Sequence, residues 1–357
     1  MSLKCGIIGL PNVGKSTLFN AFTNLKVPAL NFPFCTISPN IGIAPIFDKR
    51  LLEIDNIVDT KKIIPHFIKI IDIAGLIKNA SKGEGLGNKF LSQIGEVDAI
   101  IHVVRNFNDS KIIHVNGKIN AEDDIETINL ELVLSDLNLC EKTISNIKKK
   151  KKNFFKKENI VLKKAYSFLK KGIFLKSNFF SEKENAILKN FKFLTIKPII
   201  YLINYNESSK NNVNDLILKF CRQKKIVEKI NLNSLLHKKN NKFKTSKFIK
   251  NKNFFYNKSL NKIITSIYKL LNLNTFFTVG KNEIRSWAFL KNSSCVNVAK
   301  LIHSDFSSGF IKAKVIDYKD FIFYKGEKNV KNFGKLRFEG RNYIVKDGDI
   351  IHFLFNV

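Results

Sequence analysis

The chain has 357 residues, 44% of them hydrophobic and 25% charged, which is enough for a full apolar core and for two or three domains. No apolar run reaches the roughly 18–20 residues that cross a bilayer, and Met1-Ser2-Leu3-Lys4 runs directly into a strand-like segment, so neither a membrane span nor a signal peptide is expected. The net charge of +31 fits a polyanionic partner such as RNA, but arginine supplies only six of the 61 basic residues, and a Lys-, Asn-, Ile- and Phe-rich chain is also what an AT-rich coding sequence produces.

Leu3 to Ile8 predicts a short buried strand. Gly9-Leu10-Pro11-Asn12-Val13-Gly14-Lys15-Ser16-Thr17 follows and fits G-x-x-x-x-G-K-[ST], and Thr17 to Phe22 starts a helix. Strand, loop and helix in that order form the context of a phosphate-cradling loop. The glycines let backbone N–H groups from Asn12 to Thr17 turn toward phosphate oxygens. Lys15 puts a compact charge on the β- and γ-phosphates, and the Ser16 hydroxyl reaches Mg²⁺. The helix N-terminus beneath favours an anion.

Asn31-Phe32-Pro33-Phe34-Cys35-Thr36 reads as a loop in which the Thr36 hydroxyl completes the Mg²⁺ shell. Cys35 could make that loop redox-sensitive or be an ordinary packed thiol. Phe67 to Ile71 predicts a strand that runs into Asp72-Ile73-Ala74-Gly75-Leu76, a D-x-x-G pattern. Asp72 would hold Mg²⁺ through water, and the Gly75 N–H would meet the γ-phosphate. Leu76 stands where many GTPases keep a water-orienting Gln and cannot hydrogen-bond a water, so hydrolysis is slow or another group positions the water. Ser81 to Asn88, dense in glycine, has the character of a nucleotide-sensing switch.

Ala99 to Val104 and Pro198 to Ile203 predict the next two parallel strands. The stretch between them is too long for a structureless loop and must hold an insertion. Leu130, Leu134, Leu137, Ile144 and Ile147 recur at helical spacing, Lys148 to Lys152 reads as an exposed tip, and Val161, Ala165 and Phe168 continue a second stripe. Ser181-Glu182-Lys183-Glu184 is a capping-box signature. A projecting antiparallel helical pair is the simplest reading. Its lysine-rich tip could touch RNA or be a solvated helix end.

Asn204-Tyr205-Asn206-Glu207 follows the second of those strands, where GTPases carry N-K-x-D. In that motif the Asp accepts from two donors on guanine and the Lys covers the base. Glu207 is a methylene longer and Tyr205 replaces the Lys. Losing a buried bidentate contact costs a few kcal/mol, enough to abolish a guanine preference, so adenine is the expected base. Residues 208–260 show no second base-contacting loop beyond the neighbourhood of Asn233-Ser234-Leu235.

From Leu273 the chain reads as a compact α+β module. Its strands are predicted at Thr275–Val279, Ser286–Phe289, Gly309–Val315 and Tyr343–Val345, with a hairpin-type turn at Asp347-Gly348-Asp349 before Ile350–Val357. His303 near Asp305 has no nucleophile or metal ligand at useful spacing and reads as structural. Cys5, Cys35, Cys140, Cys221 and Cys295 are odd in number and scattered, as reduced cytoplasmic thiols would be.

Gly9–Thr17, Asn31–Thr36, Asp72–Leu76 with Lys82–Asn88, Asn204–Glu207 and the block from Asn272 to Val357 together resemble the YchF/Obg-like ATPases, along almost the whole chain. The resemblance implies an α/β P-loop NTPase domain (1–125 and 196–271), a coiled-coil-like helical insertion (126–195) and a C-terminal α+β TGS domain of β-grasp type (272–357). It also implies ATP as substrate, Mg²⁺, and association with the ribosome (large subunit or 70S) and its rRNA in the cytoplasm, with neither membrane nor DNA as partner. Members carry a hydrophobic residue at the position of Leu76. Asn12 sits where K⁺-dependent relatives hold K⁺ beside the phosphates, and His114 matches a histidine that could position water. The sequence departs from the family between Tyr205 and Leu260. Two other readings stay open: an Obg-type GTPase in ribosome assembly, and a nucleotide-gated RNA- or ribosome-binding module with little turnover.

Overall fold

The computed structural model describes residues 3–23, 40–73, 86–110, 112, 114, 117, 119–149, 156–223, 225–237 and 257–356. β1 (Lys4–Ile8) leads to α1 (Lys15–Thr23), whose Leu18 and Phe22, four apart, are buried against the sheet. β2 (Ile41–Pro45) follows, then α2 (Lys49–Val58), β3 (Lys62–Ile64), β4 (Phe67–Asp72), α3 (Leu86–Gly95) and β5 (Ala99–Asn106). With β6 (Ile199–Tyr205) and β7 (Ile226–Ile230), four of these strands form a six-stranded sheet in the order β2-β4-β1-β5-β6-β7. Only β2 runs antiparallel, beside β4. β1 and β5 are nearly continuous apolar runs because helices cover both faces of a parallel sheet.

Between β5 and β6 lies the expected helical insertion. α4 (Ala121–Lys149) is 29 residues long and packs against α5 (Lys156–Leu169). α6 (Glu182–Leu188) closes the bundle behind a capping box in which the Ser181 and Glu184 side chains each accept from the other's backbone N–H. The predicted α4 stripe needs correction. Leu137, Ile144 and Ile147 of that stripe do pack against the bundle core, but Leu130 is 56% exposed, and the apolar positions buried in full include Ile125, Ile128, Leu132, Val133 and Cys140. The helix changes partners along its length: Ile128 and Leu132 join the core of the first sheet, whereas Val133 and Cys140 face α5. One fixed stripe cannot serve two cores on different sides. Asp136 ties the bundle to its exit, accepting from Leu194 N at 2.9 Å, Thr195 N at 2.8 Å and Thr195 Oγ1 at 2.7 Å.

After β6 come α7 (Lys210–Arg222), β7, α8 (Leu232–His237) and α9 (Lys258–Leu270), so the described residues of the lysine- and asparagine-rich stretch carry ordinary α/β elements. α9 buries Leu260, Ile263, Ile264 and Ile267. β8 (Leu273–Val279), β9 (Glu283–Leu290), α10 (Cys295–Ala299), α11 (Ser304–Ser308), β10 (Phe310–Ile316), α12 (Tyr318–Phe323), α13 (Glu327–Asn332), β11 (Arg337–Glu339) and β12 (Ile350–Phe355) build the C-terminal α+β module. Tyr343–Val345 is not a strand. It makes one isolated bridge, from Ile344 to Ser294, and its backbone bonds hold residues 293–295. His303 caps α11, accepting from Asp305 N at 3.3 Å.

The second sheet runs β11-β10-β12-β8-β9-β3. β3 comes from the first half of the chain and pairs in parallel with β9, Ile63 opposite Ile284. α2 accompanies it: Leu51, Ile54 and Ile63 share a core with Phe277, Ile284, Phe321 and Val330. Arg50 clamps the junction with 2.7 Å ion pairs to Asp48 and Asp347 and a position 5.2 Å over the Phe277 ring. The Tyr318 hydroxyl donates to Glu53. Residues 49–64 therefore belong by their contacts to the C-terminal sheet, although their sequence lies within the nucleotide-domain half of the chain.

Candidate nucleotide site

β1 ends at Ile8, and the loop that follows turns through Asn12 (φ 63°) and Gly14 (φ 104°) before α1 begins at Lys15. Asparagine tolerates the left-handed region. Gly14 is required on two counts, because a Cβ there would also lie 2.8 Å from Asn204 Nδ2 and 2.8 Å from Leu232 Cδ1. The first helical bond of α1 is Leu18 N to Gly14 O, 3.0 Å. The N–H groups of Lys15, Ser16 and Thr17 precede it and are free of intrahelical acceptors, as an anion site needs.

Lys15 is half-buried and its Nζ donates to the Leu10 carbonyl at 2.8 Å, across the mouth of the loop. Burial pushes its ammonium below the usual lysine range, and the Asp72 carboxylate pulls the other way. The Ser16 hydroxyl donates to Asp72 Oδ2 at 3.1 Å, and Asp72 Oδ1 is buried with no hydrogen-bond partner among the described residues. A hydroxyl beside a carboxylate with a spare buried oxygen is a hard-oxygen donor set, which fits Mg²⁺. Thr36 and Gly75 lie outside the described residues, as do Leu76 and Cys35.

The structure brings Asn204 to the loop. Its Nδ2 donates to the Val13 carbonyl at 3.0 Å and its Oδ1 accepts from Leu232 N at 3.3 Å. Val13 and Asn204 are both buried, so this brace is dry. Glu207 is exposed in the turn after β6, and Asn231 Nδ2 donates to its Oε1 at 3.3 Å. Asn231 also accepts from Ser234 N at 3.0 Å, which fixes the direction of its amide. The neighbourhood of Asn233-Ser234-Leu235 thus lies beside Asn204 and Glu207, but the contacting residues are Asn231 and Leu232, two places earlier. A turn signal was present in Asn231-x-x-Ser234 directly after the apolar β7 run.

His114 has a different setting. Its Nε2 lies 3.0 Å from Asp124 Oδ2, with both side chains buried, at the first turn of α4. The loop that carries it is held by Arg105, whose Nε donates to Phe107 O at 3.1 Å and Nη2 to Ile112 O at 3.1 Å. The described cysteines 5, 140, 221 and 295 are free thiols, and no helix among the described residues is long and apolar enough to cross a membrane.

Residues 4–153 match the family described as 50S ribosome-binding GTPase, and residues 273–356 match a YchF GTPase C-terminal family described as of unknown function. The chain is 49% identical to the ribosome-binding ATPase YchF of Buchnera aphidicola subsp. Acyrthosiphon pisum and 44% identical to that of Escherichia coli O157:H7, covering 100% of both sequences in each case. Its structure is similar to the solved Schizosaccharomyces pombe YchF GTPase, with a TM-score of 0.83 and 32% identity over 99% of this chain and 98% of the other.

Proposed function

The chain belongs to the YchF family of P-loop NTPases, and on that footing we propose that it is a slow, Mg²⁺-dependent ATPase whose nucleotide state governs its association with the ribosome. One observation carries the adenine reading. Asn204 gives one amide hydrogen to Val13 and one oxygen lone pair to Leu232, and Glu207 in the same turn is a methylene longer than the aspartate that reads guanine in N-K-x-D. Asn12 to Thr17 hold the phosphates, with Lys15 moving from the Leu10 carbonyl to the β- and γ-oxygens. Ser16, Asp72 through water, and Thr36 would hold Mg²⁺, which when bound neutralises charge across those phosphates. Gly75, outside the described residues, would offer its N–H to the γ-phosphate. Leu76 leaves the attacking water to another group, and His114 is the candidate. Asn12 is the candidate K⁺ ligand, and equal turnover in K⁺ and Na⁺ would remove it from that role.

Ribosome binding rests on the names of the relatives and on the net charge of +31, which favours a phosphate-rich partner such as rRNA. Cytoplasmic residence accords with free thiols at four described positions. Titration of the purified protein with ATP and GTP, followed by single-turnover hydrolysis with and without ribosomes, tests the reading. Tighter ATP binding and ribosome-sensitive conversion to ADP and phosphate are expected. A GTP preference would instead make it an Obg-type GTPase, and tight binding without turnover a nucleotide-gated binding module.

A further inference from the structure

Two buried charges flank the segment that joins β5 to α4, and that segment satisfies both. Arg105, near the end of β5, is 1% exposed. Each of its hydrogen bonds goes to a main-chain carbonyl of the segment: Nε to Phe107 O at 3.1 Å, Nη2 to Ile112 O at 3.1 Å and Nη2 to Asp109 O at 3.4 Å. Its guanidinium also lies 4.7 Å from the centre of the Phe107 ring. Asp124, 2% exposed in the first turn of α4, holds its carboxylate against His114 of the same segment, Oδ2 to Nε2 at 3.0 Å.

Each charge keeps an unused atom. Arg105 Nη1 and Asp124 Oδ1 are both buried and make no hydrogen bond among the described residues. A buried donor and a buried acceptor of opposite charge, each left unpaired, are costly where they stand and are the two halves of an ion pair. They already feel each other. Burial pushes the Asp124 carboxyl up, and His114 and the Arg105 charge hold it down; burial lowers the Arg105 guanidinium, and Asp109 and Asp124 oppose that. Arg105 also pairs with Asn204 in the β5–β6 register, so it lies one strand from the brace to Val13 in the phosphate loop.

We propose that Arg105 and Asp124 are alternative partners for each other, which makes Arg105 a positioning residue for His114: when the joining segment swings away in the nucleotide-bound state, His114 and the three carbonyls leave together and the guanidinium closes on the carboxylate left behind. In the nucleotide-free chain Arg105 is committed to the segment, so loss of the His114 side chain alone leaves Asp124 unpaired. The exchange removes the penalty of abandoning a buried carboxylate, which would otherwise fasten His114 to α4. The inference rests on the reading of His114 as the group beside the attacking water for its purpose, and adds the means by which His114 is freed.

The test is a double-mutant cycle in the full chain on Arg105→Gln and Asp124→Asn, read as single-turnover ATP hydrolysis per folded molecule beside ATP affinity. Arg105→Gln is expected to slow hydrolysis by about tenfold while ATP affinity changes by less than about threefold, because Asp124 is left charged and alone. Adding Asp124→Asn is expected to restore the rate to within about threefold of native, since no charge remains to be neutralised. Arg105→Lys keeps the charge, is expected to lose less than Arg105→Gln, and replaces it in the cycle if the Gln variant does not fold. A mere prop for the segment gives no rescue, so additive losses would overturn the inference. A structure solved with Mg²⁺ and a non-hydrolysable ATP analogue gives the second readout. Arg105 on Asp124 with His114 withdrawn is expected, and His114 still on Asp124 would overturn the inference. Arg105 on Asp124 together with an unchanged rate in His114→Ala would uphold the exchange and remove His114 from hydrolysis.

Discussion

Asn204 and Val13, 191 residues apart in sequence, are joined by a 3.0 Å hydrogen bond from the Asn204 amide to the Val13 carbonyl. The bond crosses from the end of β6 to the middle of the phosphate loop and is buried on both sides. It makes the loop's curvature depend on the strand that precedes the base-side turn.

Asn204→Ala should therefore do two things at once. It strands the Val13 carbonyl and the Leu232 N–H in a dry site, costing ~1–3 kcal/mol of stability in a denaturant titration. It should also weaken ATP and GTP alike, because what is lost is loop geometry and not a base contact. A selective loss of ATP would show instead that Asn204 reads the base.

Lys15→Ala is the complementary case. The Lys15 ammonium contacts the fold at the Leu10 carbonyl and is partly solvated, so stability should move by less than about 1 kcal/mol. Nucleotide affinity should fall ~10–100-fold, the worth of one or two charge-assisted bonds to phosphate. Removing Mg²⁺ with EDTA should abolish turnover while leaving the thermal midpoint of the nucleotide-free protein in place.

His114→Ala should destabilise the chain by ~3–5 kcal/mol, because it leaves the buried Asp124 carboxylate without its 3.0 Å partner. Burial already pushes Asp124 above the usual carboxylate range, with His114 holding it down. Hydrolysis must therefore be expressed per folded molecule. A rate that is unchanged on that basis would assign His114 to the fold alone, and a lowered rate would place it in the chemistry.

Asp136 sets a pH dependence. Burial holds its carboxyl up to about 6, against the three donors from Leu194 and Thr195. An unfolded aspartate titrates near ~4, so between pH 4 and 6 the folded chain keeps a proton that the unfolded chain has released. The contribution is present in full below pH ~4 and is lost as pH rises through about 6, a fall of at most ~3 kcal/mol. Urea midpoints across that range should show the decline in the native protein, and Asp136→Asn should flatten it.

Much of the nucleotide half was legible because its signals are local. A strand, a G-x-x-x-x-G-K-S loop and a helix start declare themselves within twenty or so residues, and Ser181 with Glu184 announced a helix cap that the structure forms. What could not be read depends on distant partners. Asn204 was legible as part of N-x-x-E, but not as the brace to Val13. Asn231 was hidden because an asparagine after a strand has many uses, and only the fold puts Glu207 beside it. Leu130 misled because the spacing of apolar residues gives a stripe but not the number of cores a long helix must serve. The α2–β3 stretch looks like any amphipathic helix and short strand, and its partner Ile284 is encoded more than two hundred residues later.

That stretch has a consequence for how the protein can be divided. Cutting the chain before β8 would leave Leu51, Ile54 and Ile63 bare on the nucleotide half and give β3 no neighbour, while the C-terminal half alone would present β9 as an open edge. Each fragment would carry a raw seam suited to the other. Fragments separated there should be sticky when made singly and soluble when made together, so that the two halves are better regarded as one woven unit than as modules joined end to end.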